Sequence, residues 1–138
     1  MRYLAIDYGS KRTGLALCDQ SEMIASPIAV IEIPALVIQK VLAIIKDEQV
    51  ETIVIGLPMN MDGTEGPSAK AVRAFAKELA AETAVPIIFH DERLSSFEAE
   101  EKLAAADFTR KKKKKRLDAV AAAGILRSFL DQKHEGTK

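Results

Sequence analysis

Apolar residues recur along this chain in two rhythms, and the change from one to the other marks its elements. Short aliphatic runs open the sequence and predict three strands, Arg2 to Asp7, Thr13 to Cys18 and Ile28 to Ile33. A glycine-containing turn and the segment Asp19 to Pro27 separate them, which suits an antiparallel meander. From Ala35 to Lys46 the rhythm becomes helical, with Leu36, Val37, Val41, Ile44 and Ile45 at matching spacing. Thr52-Ile53-Val54-Ile55-Gly56 is a short apolar run rich in β-branched residues, the pattern of a strand buried on both faces. Pro58, Asn60, Asp62, Gly63 and Gly66 make Leu57 to Pro67 a loop. Ser68 to Glu82 reads as a helix with Val72, Phe75, Ala76 and Leu79 on one face, and Pro86 to His90 as the fifth strand.

Ser95 followed by Glu98 matches a capping box, predicting a helix from there to about Ala106. A basic run comes next, then a last helix over Leu117 to Asp131 and a frayed tail from Gln132 to Lys138. The predicted order is β-β-β-α-β-α-β-α-α, an α/β chain without internal repeat. Its 138 residues fit one domain with one core. Asp7 interrupts the first apolar stretch before a secretory core could form, and no run is long enough to span a bilayer. The single cysteine, Cys18, allows no internal disulfide, so a cytoplasmic location is expected and Cys18 is read as a small core residue.

Charge changes this picture in one place. The chain is neutral overall, with 20 basic and 20 acidic residues, yet seven of the basic ones are consecutive: Arg110, Lys111, Lys112, Lys113, Lys114, Lys115 and Arg116. The remainder is therefore acidic. Such a run is either a solvated segment that serves solubility or an electrostatic arm for phosphates, whose grip weakens steeply with salt.

The candidate chemistry lies in acids placed where apolar runs stop. Asp7 ends the first strand, and an unpaired charge in an apolar setting costs several kcal/mol, so a metal ion, a basic partner or backbone donors must compensate it. Asp91-Glu92 ends the fifth strand. On the last helix Ala122, Ile125 and Phe129 lie within about 40° of Asp118, so Asp118 is on the line expected to face the sheet. If the strands carrying Asp7 and Asp91-Glu92 run parallel, their carboxyl ends share the edge where open α/β sheets place their sites. Three converging carboxylates need cations, and hard oxygen donors suit Mg²⁺ or Mn²⁺. Two such ions about 4 Å apart could activate a water and steady the leaving oxygen in phosphodiester hydrolysis. One acid of the Asp91-Glu92 pair is expected to bridge locally, for example to Arg93. Gly9 and Gly14 permit close backbone approach, with Ser10, Lys11 and Arg12 available as phosphate contacts and Arg93 as a further nucleic-acid contact. His90 and His134 lack the partners that a zinc site or a catalytic triad needs.

Four ordered blocks carry a family resemblance: Ile6-Asp7-Tyr8-Gly9-Ser10-Lys11-Arg12-Thr13-Gly14, Gly56-Leu57-Pro58-Met59-Asn60-Met61-Asp62-Gly63-Thr64-Glu65-Gly66, Asp91-Glu92-Arg93-Leu94-Ser95-Ser96 and Asp118-Ala119-Val120-Ala121-Ala122. Together they resemble the YqgF family, also called RuvX, over nearly the whole chain. The resemblance implies an RNase H-like fold, a five-stranded mixed sheet flanked by helices. It also implies a nuclease that processes the 5′-end of pre-16S ribosomal RNA, or a Holliday junction resolvase. Asp7, one of Asp91 and Glu92, and Asp118 match the family's proposed catalytic carboxylates. Ser95-Ser96 stands where the family often has two threonines. The related RuvC resolvases carry an acid at the end of the fourth strand and a second acid on the last helix. Here the fourth strand ends in Gly56-Leu57-Pro58 with no carboxylate and Ala121 sits three residues after Asp118, which leaves Asp91-Glu92 to supply the missing ligand.

Four functions are thus expected to compete. The first is a metal-dependent nuclease acting on structured RNA, with Asp7, Glu92 and Asp118 as ligands and Asp91 in reserve. The second is a resolvase of branched DNA, which would need a homodimer to cut two strands together. Asp-Tyr-Gly-Ser also resembles the first phosphate loop of actin-like ATPases, although this chain has length for one such domain rather than two. The fourth is a nucleic-acid-binding module without catalysis. Monomer and homodimer both stay open.

Overall fold

The computed structural model describes residues 1–94 and 110–136, with side chains of the last helix described from 119 to 135. Five strands, β1 (Tyr3–Tyr8), β2 (Thr13–Cys18), β3 (Ala25–Ile31), β4 (Thr52–Leu57) and β5 (Ile87–Asp91), form one sheet in the order β3-β2-β1-β4-β5. β1, β2 and β3 pair antiparallel, whereas β1–β4 and β4–β5 pair parallel. The helices are α1 (Val37–Asp47), α2 (Pro67–Ala80) and α3 (Arg110–Gly136). The mixed five-stranded sheet is the one the family resemblance implies. The helix expected over 95–106 lies outside the described residues.

Alternation along the strands sorts the core into two layers. Leu4, Ile6, Leu15, Leu17, Ile53, Ile55 and Leu57 point to one face, where Val37 and Val41 of α1 and Val72, Phe75 and Leu79 of α2 cover them. Tyr3, Ala5, Ala16, Cys18 and Val54 point to the other, beneath Ala122, Ile125, Leu126 and Leu130 of α3. β4 is buried along its whole length, as its β-branched run predicts. Cys18 is buried; its thiol accepts from the Tyr3 amide, and burial pushes it up, so it is an inert core residue.

Two elements differ from expectation by three residues or more. β3 starts at Ala25 rather than Ile28, because Asp19 organises the turn before it: its carboxylate accepts from the amides of Met23 (2.9 Å) and Ile24 (3.0 Å), with Glu22 at φ 62°. Pro27 is tolerated because β3 is an edge strand, and the bulge between Leu15 and Ala16 absorbs the register. The last helix begins at Arg110 rather than Leu117 and runs to Gly136, so the basic run is helical and most of the expected tail is too. Lysine and arginine are good helix formers, and a folded helix extends readily through them. At its far end Lys133 bonds Glu22 (2.5 Å) and lies over the Tyr3 ring, fixing α3 to the β2–β3 turn.

Candidate active site

β1, β4 and β5 run parallel, so their carboxyl ends meet at one edge. Ile6 pairs with Ile55, and Ile55 with Phe89; the next residues in step are Asp7, Gly56 and His90. Side chains alternate between faces, so Asp7, Gly56 and His90 share the face under α3 while Asp91 belongs to the other. Glu92, in the short 3-10 turn Glu92–Leu94 that follows β5, returns to the α3 side and shares a hydrogen bond with Asp7.

Burial dominates the electrostatics of that pair. It raises the Asp7 carboxyl, and the hydrogen bond with Glu92 offsets part of the rise. Burial and the adjacent Asp7 push Glu92 up to about 8. The pair therefore keeps one proton near neutrality when no cation is bound.

Asp91 has a different task. Arg93 donates to it from Nε (2.9 Å) and Nη2 (2.6 Å), and the Arg93 amide donates to Oδ1 (3.0 Å), which holds the Asp91 carboxyl below the usual range. Nη1 of the same guanidinium reaches the carbonyls of Asn60 and Met61 at 3.3 Å each. Arg93 thus ties the end of β5 to the loop 58–66, with Nε, Nη1 and Nη2 each bonded to the protein. The local bridge expected for one acid of the pair falls to Asp91. The loop is braced further: Asn60 and Gly63 (φ +87°) close its turn, Asp62 accepts from Thr64, and Glu65 pairs with Arg73 through both oxygens.

Ser10 and Lys11 are exposed at the tip of the β1–β2 turn, directly beyond Asp7. Gly9 serves that turn, since a Cβ there would lie 2.5 Å from the Arg12 carbonyl oxygen. Arg12 is 3.8 Å from Glu32. His90 is buried and bonds Ser128 through Nε2 (2.9 Å); burial lowers its pKa, so it is a neutral strand-end residue as expected. Asp118 is on α3, four and seven residues before Ala122 and Ile125, which face the sheet; its side chain, like those of Arg110 to Arg116, lies outside the described residues. Among the described residues no group of three metal-binding side chains forms, and the assembled acids are Asp7 and Glu92.

Sequence reasoning noted Gly56 only for its lack of a carboxylate and missed its steric role. A Cβ at this position would fall 2.5 Å from Oε1 and 2.8 Å from Cγ of Glu92, and 2.5 Å from Cδ1 of Ile125. The signal was available: a glycine inside an otherwise β-branched strand often marks a close approach.

Comparison with known proteins agrees with this geometry. The family model RuvX, described as a Holliday junction resolvase, matches residues 1–132. A protein of Anaeromyxobacter sp. (strain Fw109-5) named "Putative pre-16S rRNA nuclease" is 46% identical over 136 residues, covering 97% of this chain and 99% of its own. One of the same name from Geobacillus kaustophilus (strain HTA426) is 43% identical over 137 residues, covering 96% and 99%. Among solved structures, T. thermophilus RuvC in complex with a Holliday junction substrate aligns with a TM-score of 0.63 at 15% identity, covering 99% of this chain and 97% of that one. The Fowlpox virus resolvase bound to Holliday junction DNA aligns with a TM-score of 0.58 at 14% identity, covering 96% and 99%. These two likenesses show the RNase H-like fold.

Proposed function

The chain belongs to the RuvX family, and on that premise we propose that it is a metal-dependent nuclease hydrolysing phosphodiester bonds, with precursor 16S rRNA as its substrate. One observation carries the reading: two carboxyls from distant stretches, Asp7 and Glu92, share a hydrogen bond at the common carboxyl end of three parallel strands. The names of the relatives supply the substrate.

The donor set fits a hard divalent cation, Mg²⁺ or Mn²⁺, since it offers carboxylate oxygens close enough to share a proton. Asp7 and Glu92, joined by Asp118 from α3, would hold it. A divalent cation held by these residues would supply Lewis acidity toward a water and the leaving oxygen. The chain's own work is placement. β1 fixes Asp7 in the sheet, the Arg93–Asp91 bridge fixes the strand end next to Glu92, and burial keeps bulk water from separating the two acids. Ser10 and Lys11, exposed in the turn after β1, are suited to contact a phosphate next to the cut, and the helical run 110–116 gathers positive charge on the turns before Asp118, suited to a phosphate backbone without reading sequence.

A second reading, resolution of branched DNA, is favoured by alignment over nearly the full chain with two junction-cutting folds. Purified protein with Mg²⁺ or Mn²⁺, offered precursor rRNA and four-way junctions side by side, separates the two. Asp7→Asn is expected to lower cleavage about a hundredfold or more while leaving melting unchanged. Equal turnover by variant and parent would remove the carboxylates from the chemistry.

A further inference from the structure

The position of Gly56 is peculiar in the sheet. β4 lies between β1 and β5, so Glu92 must cross it to meet Asp7, and neighbouring strands are about 4.8 Å apart. Any side chain on β4 at the crossing would stand in the way. A Cβ on Gly56 would sit 2.5 Å from Glu92 Oε1, closer than real Cβ contacts come, and the same distance from Ile125 Cδ1 on the overlying helix. Glu92 thus runs through a slot with the Gly56 backbone as its floor and Ile125 packed against it.

We propose that Gly56 is a positioning residue of the carboxylate site: it vacates the space through which Glu92 reaches Asp7. The proposal rests on the nuclease reading for its purpose, and the slot itself rests on geometry alone.

The test is a Mn²⁺ titration of the full chain, read by water-proton relaxation, with melting recorded for every variant. Gly56→Ala is expected to bind Mn²⁺ at least about tenfold more weakly than the parent. Gly56→Ala with Ile125→Val relieves the helix contact, and should recover melting without recovering Mn²⁺ affinity. Glu92→Ala alone should lose affinity likewise. Parent-like Mn²⁺ affinity in Gly56→Ala would overturn the proposal, as would recovery of that affinity on adding Ile125→Val. If the expected pattern appears but the parent cleaves no nucleic acid, the positioning role stands and the nuclease reading falls.

Discussion

The two faces of the sheet are built on opposite principles. Under α1 and α2 the strands present Leu4, Ile6, Leu15, Ile53 and Ile55, large aliphatic side chains that fill the space between layers. Under α3 the small residues Ala5, Ala16 and Gly56 stand among Tyr3, Cys18 and Val54, and the helix answers with Ala122 beside Ile125, Leu126 and Leu130. Small residues on both partners let a helix lie close to a sheet, and they leave gaps that polar groups can enter. The Asp7–Glu92 pair and the His90–Ser128 hydrogen bond are both on this second face. One face supplies cohesion and the other holds chemistry.

That division can be broken deliberately. The largest effect on stability belongs to the aliphatic face: Ile55→Ala is expected to cost about 3 kcal/mol in chemical denaturation, while Mn²⁺ affinity stays at the parental value. Loss of the ion along with the packing would mean that the faces are not independent. On the other face, Ala122→Leu overfills a fully buried position, at a cost of about 2 kcal/mol. It should also push α3 off the sheet and lower cleavage in the same measurement series. Unchanged cleavage would show that close approach of the helix is dispensable.

The last effect is a slope with pH, small over any one unit. Glu92 has an ordinary pKa of 4.5 and is pushed up to about 8 in the fold, so the folded state favours its protonated form. Its contribution is complete below the ordinary value and is lost as pH rises from there through about 8. Without divalent ions, stability should fall over that window with a slope of at most about 1.4 kcal/mol per pH unit, and Glu92→Gln should flatten it. A slope that survives the substitution would place the proton elsewhere.

Much of this arrangement is legible in the sequence, for identifiable reasons. Uninterrupted β-branched residues at Thr52 to Ile55 define a doubly covered strand, and the acids at Asp7 and Asp91-Glu92 mark where apolar runs stop. The choice between Asp91 and Glu92 was also within reach. Once Ile6, Ile55 and Phe89 are set in step, alternation sends Asp91 to the face away from Asp7. Register between distant strands, however, is a tertiary fact, and local pattern does not supply it. The same holds for β3, where Pro27 looked like an interruption because nothing local says that its strand has one neighbour. The start of α3 was misjudged for another reason. Seven consecutive cations read as a loop by charge, yet their backbone propensity is helical and the helix behind them is firmly packed.

The outer strand carries a consequence for life at high protein concentration. An unpaired sheet rim invites fibre-like stacking, and this rim displays Ile24 and Ile28 to solvent. Pro27 has no amide hydrogen to donate, and the bulge beside it at Ile28 skews the ladder, so an incoming chain does not meet a straight template. Protection against aggregation on that side is written into the backbone rather than into charge.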